Sequence, residues 1–231
     1  MAKRFYKDVQ ASAAEDGFAI LLDGRPLRTP VRRVLILPTR ALADLVAEEW
    51  AAQAKEIVPD SMPLTRLATT VLDLMPTRRT DAEAEILGYG ETDLLCYRAA
   101  HPQDLAARQA EAWQKWLDWA HLHLDSRLVT TTGIAAIQQD EGALCGLKRA
   151  VKALDDWRLT ALHAATSLMG SIILGLALQR GALTPAEGFE AAVLDELYEM
   201  ERWGEEADLL QRHARLRRDL EAVSAFLAAL G

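Results

Sequence analysis

The chain has 231 residues, half of them hydrophobic and about a quarter charged, with a mean hydropathy of −0.03 and a formal net charge of −8. That is ordinary globular composition, long enough for one large domain or two small ones. A net negative chain without a dominant basic face is not a general nucleic-acid binder.

The first forty residues read as strands. Arg4–Val9 is aromatic and β-branched, and Gly17–Leu22 is an apolar run ending at Asp23-Gly24, a strong two-residue hairpin signal with Gly24 as its structural pivot. Arg25–Thr29 returns, and Val34–Leu37 is closed by Pro38, giving a small antiparallel meander. From Thr39 the period changes. Thr39 caps a helix with Leu42, Leu45, Val46 and Trp50 at helical spacing. Trp50 and Gln53 stand at its end and are assigned structural roles, Trp50 as a packed side chain between the two halves of the molecule. Pro59 and Pro63 interrupt, Leu64–Leu72 forms a second helix that Pro76 ends, and Thr80 with Glu83 reads as a capping box for a third. Asp93–Arg98 suits either strand or helix.

The remainder is mostly helical. A long helix from about Gln103 carries Trp113 and Trp116 on its apolar stripe and Trp119 off it. Residues 128–138 read as a hairpin or extended link, and Asp140 caps the next helix. Leu159–Leu178 holds no Asp, Glu, Lys or Arg over twenty residues, about the length that spans a bilayer. Its Thr, Ser, His and Gly residues favour a buried central helix over a membrane span. Thr184-Pro185-Ala186-Glu187 is a capping box. It opens a helix with Phe189, Val193, Leu197, Met200 and Trp203 as a single stripe. A last helix carries Leu209 to Leu230. The organisation expected is an α+β chain, with a small antiparallel β-rich α/β domain over residues 1–76 and a larger helical domain over 77–231.

Charge is unevenly spread. Residues 1–40 carry eight Lys and Arg against four acids, whereas 185–208 carry nine acids and one Arg. The acidic stretch, with Tyr198 and Trp203 as aromatic anchors, suits electrostatically steered recognition of a protein partner. Reversing charge at Glu196, Glu205 and Glu206 is then expected to leave folding intact, while Trp203→Ala should lower stability.

Reactive centres are harder to find. Cys96 and Cys145 lack CxxC spacing, so a reducing compartment is expected. The start of the chain leads into no apolar signal segment, which makes the cytoplasm the expected location. The five histidines and two cysteines fit no metal spacing, no dinucleotide fingerprint or phosphate loop occurs, and Ser167 and Ser171 lack a nucleophile elbow. No cofactor and no metal are expected. The alternative to a binding protein is a small hydrolase using paired carboxylates of the acidic helix.

Six segments stand in order: RFYKDV, LLDGRPLRTP, LILPTRALADLVAEEWAAQ, SMPLTRLATT, ETDLLCYR and ELYEMERWGEEAD. Together they resemble the Atp12 family, assembly chaperones of the F1 sector of ATP synthase, over about Arg4 to Arg218. The resemblance implies a non-enzymatic chaperone of the unassembled F1 alpha subunit, with a small α/β domain followed by a larger helical one. Partner-binding roles are carried over to Glu196, Trp203 and Gly204, and more weakly to Glu205, Glu206 and Asp208. Family members continue after the Trp-Gly pair with an acid and a His-Asp pair, and this chain has no His there. Mitochondrial members carry a presequence, so a bacterial cytoplasmic relative, monomeric when free and not membrane-inserted, is expected.

Overall fold

The computed structural model describes residues 2–133 and 136–231. The chain gathers into two compact units, Met1–Arg79 with Ala225–Gly231 and Thr80–Ser224. Antiparallel strands near the N-terminus followed by a helical region make the fold α+β, as expected.

In the first unit, β1 (Ala2–Lys3) precedes β2 (Val9–Ala14), β3 (Gly17–Leu22), β4 (Arg25–Pro26) and β5 (Ile36–Leu37). β3 is central: β2 pairs along one side of it, and β4 and β5 pair with it as well, all antiparallel. The Asp23-Gly24 hairpin is present with Leu22 opposite Arg25. Both turn residues have positive φ, 48° and 76°, which selects the turn whose twist matches the flanking strands. Asp23 does a second job, since its Oδ1 accepts the amides of Lys7 and Asp8 at 3.0 and 2.8 Å. Of Arg4–Val9, expected as a strand, Arg4–Asp8 is therefore a lead-in outside regular structure, and only Val9 belongs to the strand, VQASAA. Its Ala and Ser residues carry little β-propensity, so the pairing comes from the partner strand GFAILL and escaped the sequence pattern.

Thr39 caps α1 (Arg40–Ala51) through the Leu42 amide, and Leu42, Ala43 and Val46 are fully buried with Ile20, Leu35 and Leu37 of the sheet region. β6 (Glu56–Ile57) pairs with β1, a strand the sequence pattern missed, and a 3-10 turn at Pro59–Ser61 leads into α2 (Pro63–Asp73). Gln53 is buried and staples this corner. Its amide donates to Glu49 O and Ser61 Oγ, and its Oε1 accepts Val58 N–H. Glu49 then accepts the Leu64 and Thr65 amides at 2.7 and 2.8 Å, supplying acceptors that the N-terminus of α2 lacks in its own sequence. Burial raises the Glu49 pKa despite those bonds.

α3 (Met75–Gly88) begins before Pro76. Pro76 therefore starts a helix instead of ending one, because a first-turn proline lacks only an N–H that would be unpaired anyway. Thr80 lies inside α3 and is not a cap. Asp93–Arg98 is neither pure helix nor pure strand: a 3-10 turn at Leu94–Cys96 runs into β7 (Tyr97–Arg98). After α4 (Gln103–Leu124), β8 (Thr131–Thr132) pairs parallel with β7. The described part of 128–138 thus docks on a distant strand and makes no local hairpin; residues 134 and 135 lie outside the described residues. Asp140 caps α5 (Glu141–Lys152) as expected, accepting from Gly142 and Ala143.

The charge-free segment Leu159–Leu178 is buried, but it is two helices, α6 (Asp156–Met169) and α7 (Ile172–Gln179). Gly170 adopts φ 66° at the break, a conformation that favours glycine, and Ser171 caps α7. The break is held from a distance by Asp93. Its Oδ1 accepts Leu95 N–H at 3.0 Å, and its Oδ2 accepts Ser171 Oγ–H at 2.9 Å and Ile173 N–H at 3.2 Å. Gly170 O accepts the Leu94 amide alongside. Among the described residues no helix is long and apolar enough to cross a membrane. The Thr184–Glu187 capping box forms and opens α8 (Pro185–Ala192). A non-helical Val193 separates it from α9 (Leu194–Trp203), so the single stripe expected from Phe189 to Trp203 is broken. The last helix is α10 (Ala207–Leu230).

Burial pushes the Asp93 carboxyl up to about 6, with the Leu95, Ser171 and Ile173 bonds opposing it. A folded pKa above the unfolded one gives a stability contribution that is full below the ordinary aspartate value and lost as pH rises through about 6. Urea midpoints measured between pH 4 and 7 should show this decline, on the order of 3 kcal/mol over the window, and Asp93→Asn should abolish that part of it. Asp93→Ala, leaving buried donors unpaired, should cost roughly 3 kcal/mol at pH 5.

Candidate functional site

The acidic segment 185–208 lies on α8, α9 and the start of α10, within the second unit. It was expected to be an exposed row of carboxylates, and the structure divides it in two. Three of the nine acids tie the helices together. Asp195 Oδ1 accepts the Gln109 amide at 2.7 Å, and Gln109, buried on α4, in turn accepts Ala99 N–H. Glu201 pairs with Arg108 of α4 at 2.7 Å. Glu196 Oε2 meets His213 Nε2 at 2.7 Å and also receives the Arg212 guanidinium, both on α10. His213 is buried edge-on against Phe189, whose ring Arg217 covers at 4.1 Å. Burial disfavours the Glu196 carboxylate, but the Arg212 and His213 hydrogen bonds outweigh it and hold its pKa below the ordinary glutamate range.

Tyr198, expected as a surface anchor, is only 2 % exposed. Its hydroxyl donates to Asp104 Oδ1 at 2.8 Å, and Arg202, which also pairs with Asp104, lies 4.4 Å from its ring. Trp113, expected in the core, is buried and donates its indole N–H to Ala191 O, and Trp116 is also buried. Trp203, expected to close the apolar stripe, is instead 76 % exposed. The break at Val193 shifts the helical phase, so Tyr198 takes the inward position of α9 and Trp203 is turned out.

The end of the segment is exposed. Trp203, Gly204, Glu205, Glu206 and Asp208 are all exposed, with Glu199 on the same helix. Gly204 ends α9 at φ 95° with nothing near its Cβ position, so its conformation and not crowding asks for glycine. A large aromatic ring is thus held in solvent within five residues of three exposed carboxylates. Glu196 does not join this group. Of the residues assigned structural roles, Gly24 and Gln53 occupy the turn and the staple described above, and Trp50 is half-buried, with Tyr6 donating its hydroxyl proton to Trp50 O.

Chemically this surface has little to work with. A general acid needs a carboxyl raised towards neutrality, and Glu196 is shifted the other way. Burial pushes the Cys96 thiol up to about 12, with the Asp93 charge adding to it, so Cys96 is not a ready nucleophile. No group of three or more His, Cys, Asp and Glu side chains suited to a metal ion occurs among the described residues.

The family profile described as ATP12 chaperone protein matches residues 3–121. The crystal structure of Atp12 from Paracoccus denitrificans superposes with a TM-score of 0.93 at 39 % identity, covering 100 % of this chain and 99 % of that one. Protein atp12, mitochondrial, of Schizosaccharomyces pombe is 24 % identical over 87 % of this chain and 74 % of its own length. Its Saccharomyces cerevisiae namesake is 23 % identical over 97 % of this chain and 84 % of its own. Fold and matches together define the class as an α+β chaperone-type protein. The chain belongs to the ATP12 chaperone protein family.

The division of the acids has a measurable consequence. Glu196→Lys should destabilise by roughly 1–3 kcal/mol, since it removes the partner of buried His213 and sets a cation against Arg212, while Glu205→Lys with Glu206→Lys, and Trp203→Ala, should each stay within about 0.5 kcal/mol. Because the folded Glu196 pKa is depressed, its contribution is present above the ordinary glutamate value and lost as pH falls through the folded one. Acid melting curves of Glu196→Gln against the parent should converge at low pH and separate above about pH 5.

Proposed function

We propose that this protein is a non-enzymatic chaperone that binds the unassembled alpha subunit of F1 ATP synthase, covers its subunit interface and releases it for assembly. The observation that carries this reading is the whole-length likeness to Atp12 structures, with a TM-score of 0.93 at 39 % identity. A free subunit exposes a large apolar surface that a permanent partner later covers, and such surfaces aggregate. A temporary cover must yield to the permanent one, which needs no nucleotide energy if the final interface is the more favourable.

The outward patch of Trp203, Gly204, Glu205, Glu206 and Asp208 is proposed as part of the contact. An exposed Trp is a costly surface residue without a partner and a frequent hot spot with one. Flanking carboxylates steer encounter and set its rate. Glu196 supports this patch from behind by fixing α9 on α10. The hydrolase alternative loses support from the depressed Glu196 carboxyl.

Size-exclusion runs with isolated alpha subunit, isolated beta subunit and assembled F1 test the partner. Co-elution with alpha alone is expected, and equal co-elution with all three would refute the reading. In stopped-flow capture of alpha, Glu205→Lys with Glu206→Lys should slow association several-fold at low salt and little at high salt, with Trp203→Ala raising the dissociation rate. Unchanged capture by both variants would move the contact elsewhere.

A further inference from the structure

The first unit contains a groove that its own side chains leave unfilled. One part, about 340 Å³, is walled by Leu27, Leu35, Ile57, Met62 and Trp50. The other, about 720 Å³, is lined by Phe5, Tyr6, Leu22 and Pro26. The two parts adjoin, because Leu27, Arg28 and Trp50 line both. Phe5 stands at the second part with 73 % of its surface in solvent.

Two independent features describe what would occupy it. The first is an unmet donor. Trp50 Nε1 is buried and has no hydrogen-bond acceptor among the described residues, a costly state for an indole N–H. A peptide carbonyl is the natural acceptor at an apolar wall. The second is charge. Arg25 and Arg28 line the larger part, and its one acidic residue, Asp23, is engaged by the Lys7 and Asp8 amides. The only other charged wall residue, Arg66, is in the smaller part, where Asp60 lies 3.9 Å from it. The groove is therefore walled by apolar side chains along both parts, with Arg28 where the parts meet, Arg25 in the larger part, and no acid among the described wall residues left to pair with them.

We infer that this groove is a second binding site, for an extended peptide segment of the client that carries a large apolar side chain next to an acidic one. The apolar side chain fills the smaller part, a client carbonyl accepts from Trp50 Nε1, and the acid meets Arg25 and Arg28. The inference rests on the chaperone reading for the source of the peptide, not for its chemistry. Its polarity is opposite to that of the acidic patch on α9 and α10, so the two sites select different stretches of a client.

Fluorescence anisotropy with labelled ten-residue peptides in a Gly/Ser host tests it. One peptide carries Leu-Phe followed by two Glu, a second has Lys in place of Glu, and a third is host alone. The acidic peptide should bind at least tenfold more tightly than the basic one, and the host peptide should not bind. Arg25→Glu with Arg28→Glu, both exposed and checked for unchanged circular dichroism, should invert that preference. Trp50→Phe should weaken both apolar peptides about fivefold, the worth of one hydrogen bond. Absence of binding, or binding indifferent to these substitutions, overturns the inference. So does sedimentation showing a dimer that the double arginine variant dissolves, since a second copy would then own the groove. Aggregation of isolated alpha subunit measured in parallel separates the two proposals. Protection of alpha without peptide binding refutes the groove alone, and peptide binding without protection of alpha refutes the client assignment alone.

Discussion

A carboxylate placed by one segment at the helix start of another recurs in both units and holds their architecture. In the second unit Asp93 reaches the N-terminus of α7, accepting from Ser171 and Ile173 while its own turn is closed through Leu95. In the first, Glu49 from the end of α1 receives the opening amides of α2. A helix start presents unpaired N–H groups and the positive end of a dipole, so an anion there satisfies both at once. The same arrangement is costly, because the carboxylate must leave water, and the raised pKa of each group records that cost. The contacts are specific because no apolar side chain can substitute for them. They fix where α2 and α7 begin and hence which faces of those helices meet the core.

That logic also explains which parts of the structure could be read from the sequence. Thr39, Asp140 and Thr184 cap the helices that follow them within three residues, and each was legible. The Asp23-Gly24 turn was legible for the same reason, as its chemistry is local. Asp93 and Glu49 act on residues 78 and 15 positions away, and no periodicity announces such a partner. The break at Gly170-Ser171 consequently looked like mere interruption of an apolar run. Strand β2 was missed because Ala and Ser carry its register only in the presence of β3. The pairing of β7 with β8 was invisible because two-residue strands leave no alternation to detect.

The acidic helix shows a second kind of error. Composition alone treats nine acids within 185–208 as one surface. Their partners are on other helices: Gln109 and Arg108 on α4, Arg212 and His213 on α10. Three of the nine, Asp195, Glu196 and Glu201, are therefore fastened to neighbouring helices, while Glu205, Glu206 and Asp208 are exposed around Gly204. The exposed Trp203 was placed inside for a related reason, since one non-helical residue at Val193 changed the phase of everything after it. The resemblance assigns Glu196 and Trp203 one partner-binding role, while the structure turns Glu196 towards His213 and Arg212 and leaves Trp203 in solvent.

The division of the charge-free segment has a bearing on how the chain is made. Twenty uncharged residues in one helix would be about 30 Å long, the thickness of a bilayer core. Divided, α6 has 14 residues and α7 has 8, about 21 and 12 Å, neither able to cross. Synthesis runs from the N-terminus, so Asp93 has left the ribosome well before Ser171 appears. The acceptor that terminates the apolar stretch is waiting when the donor emerges. A newly made chain can therefore fold this stretch inward as it arrives, and its most membrane-like sequence never has to exist as a single span.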